Sequence, residues 1–425
     1  MFKKTITSDF FTTIDGSICI NTLDTLTYRL PTLRTGWSIA EFERELLEYL
    51  ETSDSEILSF YRWSEALYHC LELIWIKKND EVIVQWYTCS VVSNAVKQSW
   101  AKIVYSDIAK NTLWFDIKTL EKNITKKTKV ILVQHTFWKP VNMNQIMTIA
   151  GKNNILVIED CAHSLWSKIS NKHTWSFGDF AMFSTGRDKV ISSVTGWFLV
   201  INNEDYFSKA SRMRDILDLP SRTLVVRNLA YNILGYFAYK TYDFFKLGRV
   251  IMLLSRKLKL ITEILSKDEK LCVRERFWTM FPNALAYLAR KELKKIDIYT
   301  THRRNISELY DMNISVKYWK KAIQEGQDEF LNDFRYAFVA NSHKIQKELV
   351  KYMKSYNILL GTSWSGTNIA PKWVKLKNAM YKKWSCKTAE DIANRIVFLP
   401  NHMWITTDDA IKVSELINKF KPRNA

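Results

Sequence analysis

Apolar and polar positions along this chain repeat with two different periods. Residues 38–50 recur at helical spacing and open on Ser38 with Glu41 three residues on, the pattern of a capping box. Residues 64–76 predict a second helix. Beyond it, short apolar runs alternate with amphipathic stretches. Strands are expected at 81–84, 103–105, 130–134, 155–159, 179–184 and 198–201, with helices at 90–99, 117–123 and 143–153. Strands separated by helices imply a mainly parallel sheet with right-handed crossovers. Ligands of such sheets sit at the carboxyl ends of the strands.

The flanks behave differently. Residues 1–30 read as irregular and Thr-rich, and residues 205–275 break the alternation with a helical, aromatic and basic stretch. A packed helical insertion is the expectation there; an interfacial helix resting on a membrane over 228–260 is the alternative. From Pro282 one long helix is predicted through Arg304 to Tyr310, after which strand and helix alternate to Asn418. The resulting division is an N-terminal segment (1–35), a large domain (36–215), a helical insertion (216–275) and a small C-terminal domain (276–425).

Composition narrows the class. The 425 residues suffice for a large domain with a smaller one. Hydrophobic residues make up 47% and charged ones 25%, as in soluble globular proteins. The longest apolar stretch, 229–254, is interrupted by Lys240, Asp243, Lys246 and Arg249, and no apolar run follows the basic start. Six scattered cysteines form no CxxC pair, which predicts free thiols, a cytoplasmic setting and no metal ligand set. The net charge of +18 is spread along the chain without a nucleic-acid motif, so no nucleic-acid partner is expected. A basic surface would also suit an anionic substrate.

Two segments carry candidate chemistry. VIEDCAH (157–163) ends an apolar strand on a carboxylate, Asp160. About two dozen residues on, FSTGRDK (183–189) delivers Ser184, a turn and then Lys189. An acid and an amine in this order suit pyridoxal phosphate (PLP), which needs four things: a Schiff-base lysine, an acid beside its ring nitrogen, a helix N-terminus for its phosphate, and a flat group over its ring.

The segments WSEAL (63–67), DEVIV (80–84), YT (87–88), QHTF (134–137), IEDCAH (158–163), SFGD (176–179), FSTGRDK (183–189) and TG (195–196) resemble the DegT/StrS family of sugar aminotransferases. Residues 283–297 and 381–400 resemble it more loosely. The resemblance implies an α/β fold of PLP-transferase type I, the aspartate aminotransferase-like fold. Its large domain has a mainly parallel seven-stranded sheet, and a smaller α+β domain follows at the C-terminus. It also implies a homodimer. Carried over by position, Lys189 is the Schiff-base lysine and proton carrier, and Asp160 partners the ring nitrogen. His163 lies near the ring oxygen and face, Ser184 is a phosphate ligand, and Ser64 with the amide of Trp63 forms the phosphate cup. Cys89 stands where the family often has an aromatic, which leaves Tyr87 or His163 to cover the ring. The family's Asn-Tyr-Arg segment is missing; residues 277–283 read FWTMFPN. The activity implied is transfer of an amino group, from a donor such as glutamate, to a keto sugar on a nucleotide, for surface polysaccharide or glycan assembly. The retained lysine separates this chain from dehydratase relatives. The alternatives are a non-catalytic or membrane-peripheral protein on this fold, and a PLP enzyme acting on amino acids.

One oddity remains. Only 11 residues are glycine and 16 are tryptophan, whereas glycine usually makes up about 7% of a chain. Trp75 and Trp100 fall at helix-to-strand junctions, where a left-handed backbone favours glycine. Trp63, Trp138, Trp166, Trp175, Trp197 and Trp384 also fall on glycines of the family. The shared exchange predicts one codon, UGA, read here as tryptophan and as glycine in the cell. Trp364 reads as a true aromatic.

Overall fold

The computed structural model describes residues 4–8, 13–110, 113–138, 141–169, 171–263, 265, 269, 279–322, 329–362, 364–366, 369–370 and 374–423. Cys272, residues 277–278 of the FWTMFPN segment and the side chain of Trp138 lie outside them.

A seven-stranded sheet organises the large domain. Its strands are β1 (Glu56–Phe60), β2 (Glu81–Gln85), β3 (Lys102–Ser106), β4 (Thr128–Gln134), β5 (Leu156–Asp160), β6 (Phe180–Ser184) and β7 (Trp197–Ile201), in the order β1-β7-β6-β5-β4-β2-β3. Every pairing is parallel except those of β7, which runs antiparallel to both β6 and β1. β1 therefore points the same way as β6. Val82, Ile83 and Val84, like Ile131, Val157 and Ile158, are buried on both faces of the sheet. That two-sided burial explains why these strands read as unbroken apolar runs. The strand β1 is an addition to the expected six. Its five residues, EILSF, are too few and too mixed to carry a period.

Helices cover the sheet: α2 (Ser38–Tyr49), α3 (Trp63–Leu73), α4 (Ser90–Gln98), α5 (Ile117–Asn123) and α6 (Met143–Lys152). Three expectations are corrected. First, residues 16–28 are not irregular but form helix α1 (Gly16–Tyr28). Asp15 caps it by accepting from the Ile18 amide at 2.8 Å, and the buried Thr22 and Thr25 hydroxyls donate back to the carbonyls of Ile18 and Asn21. Packing against the insertion overrides the weak helix propensity of threonine. Second, Ser38 is not a cap. It is the first helical residue, and the Asn283 side chain accepts from its amide at 2.8 Å. Third, the long helix from Pro282 is two helices, α10 (Asn283–Leu293) and α11 (Ile296–Asn313), broken at Lys294–Lys295. Each has its own partner: α10 packs on α2 of the large domain, and α11 on the C-terminal helix.

After α7 (Phe207–Asp215), the insertion contributes α8 (Arg222–Lys240) and α9 (Leu247–Lys257), with α8 lying between α1 and α9. The C-terminal part builds a small antiparallel sheet, β8 (Trp319–Lys321), β9 (Tyr336–Ala340) and β10 (Ile396–Leu399), with α12 (His343–Ser355), α13 (Lys387–Arg395) and α14 (Thr407–Lys419). Among the described residues no helix is long and apolar enough to cross a membrane.

Candidate active site

The directions of the strands bring the candidate residues to one edge of the sheet. Asp160 and Ser184 are the last residues of β5 and β6. Tyr87 follows β2, and Trp63 and Ser64 open α3 just after β1. His163 and Lys189 lie in the turns after β5 and β6. Carboxyl ends of four parallel strands thus converge, as the topology of such sheets requires of a ligand site.

Lys189 is the centre of this edge. Its charge acts on Asp160, His163 and Cys89 together. Burial raises the Asp160 carboxyl above its usual range, while an amide hydrogen bond from Ala162 at 3.1 Å and the Lys189 charge oppose the rise. Burial raises the Cys89 thiol to about 11, so this position offers a neutral thiol and no ring. Among the described residues the Lys189 amine makes no hydrogen bond, and the second Asp160 oxygen accepts none. A buried acid and an amine with unspent bonding capacity fit a ligand carrying one group for each.

The Lys189 turn is gripped from both sides. Arg187 reaches the insertion, donating to the Thr262 carbonyl at 2.8 Å and lying 3.8 Å over the Tyr231 ring. Asp188 meets Arg335 of the small domain at 3.4 Å. Arg303, on α11, donates to the Val190 carbonyl at 3.1 Å. Burial depresses the Arg303 guanidinium to about 10. Within the turn, Gly186 donates its amide to the Ser184 hydroxyl at 3.1 Å. A β-carbon on Gly186 would meet Ser184 Oγ at 3.3 Å and Lys189 Cγ at 3.6 Å. The bare glycine keeps this cradle open.

His163 does not have a ring face to offer. It stacks between Phe137 at 5.8 Å and Phe334 at 4.9 Å, with Trp364 edge-on at 5.5 Å. Burial holds its pKa well below the usual histidine value, so the ring is neutral. Its Nδ1 accepts from the Phe137 amide at 3.4 Å, which leaves the proton on Nε2. Tyr87 is likewise committed: fully buried, it donates to the Trp364 carbonyl at 2.7 Å. Of the two groups expected to cover a cofactor ring, His163 has both faces taken and Tyr87 is tied to Trp364.

The phosphate side is crowded. Trp197 pairs in register with Ser184 on one side and Phe60 on the other. Its ring lies 5.7 Å from the Lys189 amine and packs edge-on against Trp63 at 5.6 Å. The Ser64 hydroxyl donates to the Glu269 carboxylate at 2.9 Å. Glu65, one residue on in α3, is raised to about 8 by burial. Two indoles and a carboxylate therefore stand where the start of α3 would take an anion. The ring end of the site fits PLP; the phosphate end, with tryptophan at 63 and 197, does not.

Behind Asp160, three buried groups, His135, Glu159 and Cys161, lie within 4.8 Å of one another. Their bonds are spent on the protein. The Val141 amide donates to His135 Nδ1 at 3.1 Å, so the Nε2 hydrogen goes to Glu159 at 3.0 Å. The other Glu159 oxygen accepts from Phe177 at 2.8 Å and Gly178 at 2.7 Å. The trio is a hub that fixes the strand end carrying Asp160, and the His135 amide also donates to the Asp160 carbonyl at 3.2 Å.

Sequence inspection did not single out Arg303, Arg335 or Gly186. The spacing of FSTGRDK holds a signal for Gly186, but the two arginines come from distant, otherwise ordinary helix and strand segments.

Comparison with known proteins identifies the family and the fold. The family model for DegT/DnrJ/EryC1/StrS aminotransferases matches residues 24–232 and 279–418. A GDP-perosamine synthase of Escherichia coli O157:H7 is 24% identical over 386 residues, 91% of this chain and 90% of that protein. A UDP-N-acetyl-3-dehydro-alpha-D-glucosamine 3-aminotransferase of Acidithiobacillus ferrooxidans is 35% identical over 28% of this chain and 33% of its own length. Among solved structures, a protein described as a sugar aminotransferase from Streptococcus pneumoniae, in its PLP form, superposes with a TM-score of 0.75 at 17% identity over 98% of each chain. PseC of Helicobacter pylori, an aminotransferase, gives 0.73 at 18% identity over 99% of each. With a site-edge acid, a turn lysine and this sheet order in place, the chain belongs to the DegT/DnrJ/EryC1/StrS aminotransferase family, whose cofactor is pyridoxal phosphate.

Proposed function

We propose that this enzyme moves an amino group from an amino-acid donor, glutamate in the expected case, to the ketone of a nucleotide-linked deoxysugar, for surface polysaccharide or glycan assembly. The names of the perosamine and glucosamine relatives support the substrate class. The observation that carries the proposal is the uncommitted Lys189 amine held within electrostatic reach of the buried Asp160 carboxylate. PLP, when bound, supplies an electron sink for the bonds around the transferred nitrogen. Lys189 would hold the cofactor and move a proton between donor and acceptor carbons. Asp160 would keep a proton on the ring nitrogen, and His163 would donate its Nε2 hydrogen to the ring oxygen. With glycine at 63 and 197, as the codon reading predicts, Ser184, Ser64 and the amide of residue 63 would take the phosphate, with Glu269 displaced from Ser64. Tyr87 would act as a wall behind the ring. A homodimer, and catalysis in the cytoplasm, belong to the same proposal. The test is the absorbance of the lysine-bound cofactor, measured with and without Lys189→Ala, followed by a screen of amino donors and nucleotide keto sugars. Retention of the band in the variant would place the cofactor elsewhere.

A second role is favoured by α9 and its surroundings. Phe245, Leu253 and Leu258 are exposed at 76%, 66% and 63%. Lys246, Arg249, Arg256, Lys257 and Lys259 lie among them. A basic face studded with apolar groups suits an anionic lipid surface. Leu253→Ser with Leu254→Ser should reduce sedimentation with anionic phospholipid vesicles; equal sedimentation of variant and parent would remove this role.

A further inference from the structure

Four tryptophans, Trp75 (φ 61°), Trp100 (φ 65°), Trp166 (φ 86°) and Trp384 (φ 70°), occupy the left-handed region of backbone space. L residues with a large side chain rarely adopt it. Asparagine, a residue that tolerates this region well, also appears there four times, at 79, 154, 171 and 357. All four belong to the eight that the family resemblance sets on glycines. Trp63, Trp138, Trp175 and Trp197, like the tryptophans at 37, 86, 114, 319, 364 and 404, have no positive φ.

The local bonding names the missing residue. Trp75 donates its amide to the Glu72 carbonyl at 2.9 Å, and Ile76 donates to Leu71 at 3.1 Å. That pair of bonds is a Schellman motif, whose left-handed position is ordinarily glycine. Trp100, just past α4, makes the first of these bonds, donating to Lys97 at 3.3 Å. The indoles gain little in return: Trp75, Trp100 and Trp384 are exposed at 71%, 60% and 64%. By contrast Trp86 stacks on Tyr381 at 3.3 Å and Trp404 on Tyr239 at 4.2 Å, with packing that a glycine would forfeit.

We propose that glycine is the native residue at 75, 100, 166 and 384 and, on the family resemblance alone, at 63, 138, 175 and 197. Replacing the Trp63–Trp197 pair by glycines would clear the space between Ser184, the start of α3 and Lys189, and open the start of α3 to a phosphate. The clause about the phosphate rests on the aminotransferase reading; the identity of the residues does not.

Two measurements test it. The gene should carry UGA at all eight positions and UGG at 86, 319 and 404, and tryptic peptides of the protein from its own cells should contain glycine at 75, 100, 166 and 384. UGG codons or tryptophan-bearing peptides at those four positions would overturn the proposal. In recombinant protein, the combined W75G, W100G, W166G and W384G variant should unfold at higher urea than the tryptophan form; an unchanged or lower midpoint counts against it. Adding W63G and W197G should then give PLP uptake at least tenfold tighter than that of the tryptophan form. Glycine in the native peptides together with no PLP uptake would leave the residue assignment standing and end the aminotransferase reading instead.

Discussion

The Arg303 guanidinium, from the small-domain side, donates to the Val190 carbonyl at 3.1 Å, one residue beyond Lys189. A charge kept in so buried a place, at the cost of desolvation, is retained for what it holds. Arg303→Met should lower stability by roughly 1–3 kcal/mol, since the carbonyl loses a charged partner. It should also weaken PLP binding by about tenfold, an energy of about 1.4 kcal/mol. Urea unfolding and absorbance titration, on protein with glycine at the eight positions, read the two effects. A stability loss with unchanged PLP affinity would make Arg303 a packing residue only.

Asp160→Asn keeps the size and one acceptor of the side chain but removes its charge. An amide cannot hold a proton on the ring nitrogen, so turnover should fall by on the order of 10²–10⁴ while the lysine-bound cofactor band persists. Single-turnover absorbance changes with an amino donor are the measurement, and near-normal turnover would remove Asp160 from its role.

Burial gives Glu65 a folded-state value of about 8, against an ordinary glutamate value near 4.5. A raised carboxyl binds a proton more tightly folded than unfolded. Its contribution to stability is therefore complete at acid pH, and is lost as pH climbs from the ordinary value through about 8. Glu65→Gln should flatten this slope, worth up to a few kcal/mol at about 1.4 kcal/mol per pH unit. Unfolding midpoints at pH 5, 7 and 9 decide it; parallel pH profiles for parent and variant would show that Glu65 is not the group involved.

The hydroxyl of Thr262 accepts from Arg187 at 2.5 Å and donates to Asn228 at 2.6 Å, and Asn228 in turn donates to Tyr61 at 2.8 Å. Thr262→Val breaks this buried chain and should destabilise by about 1–3 kcal/mol. Combined with Arg187→Met, the losses should fall short of their sum, because both changes cut one network. Strict additivity would mean the two contacts act independently.

The sheet was legible because its central strands are buried on both faces and its helices are amphipathic. The edge strand β1 was not: five residues of mixed polarity are specified by their neighbour β7, not by a period of their own. Helix α1 was hidden for a related reason, since its threonines become helical only with Asp15 capping and α8 packed against them. The Lys189 and Asp160 pair could be read from order and spacing. His163 was placed near the site, but its loss of both faces to Phe137 and Phe334 depends on Phe334 arriving from another domain, which no local pattern encodes. Arg303 and Arg335 were invisible on the same ground. Trp75 and Trp100 were legible through turn chemistry, and both have the positive φ it requires; Trp166 and Trp384 share that φ, whereas Trp63, Trp138, Trp175 and Trp197 do not.

Arg187 ties the insertion to the turn that presents the reactive amine. A trimmed version of this enzyme lacking 216–275 would lose Tyr231 and Thr262, and with them one of the two sides that immobilise Lys189. A change confined to the outward surface of that segment leaves this grip intact, whereas a change on its inner surface reaches the active centre.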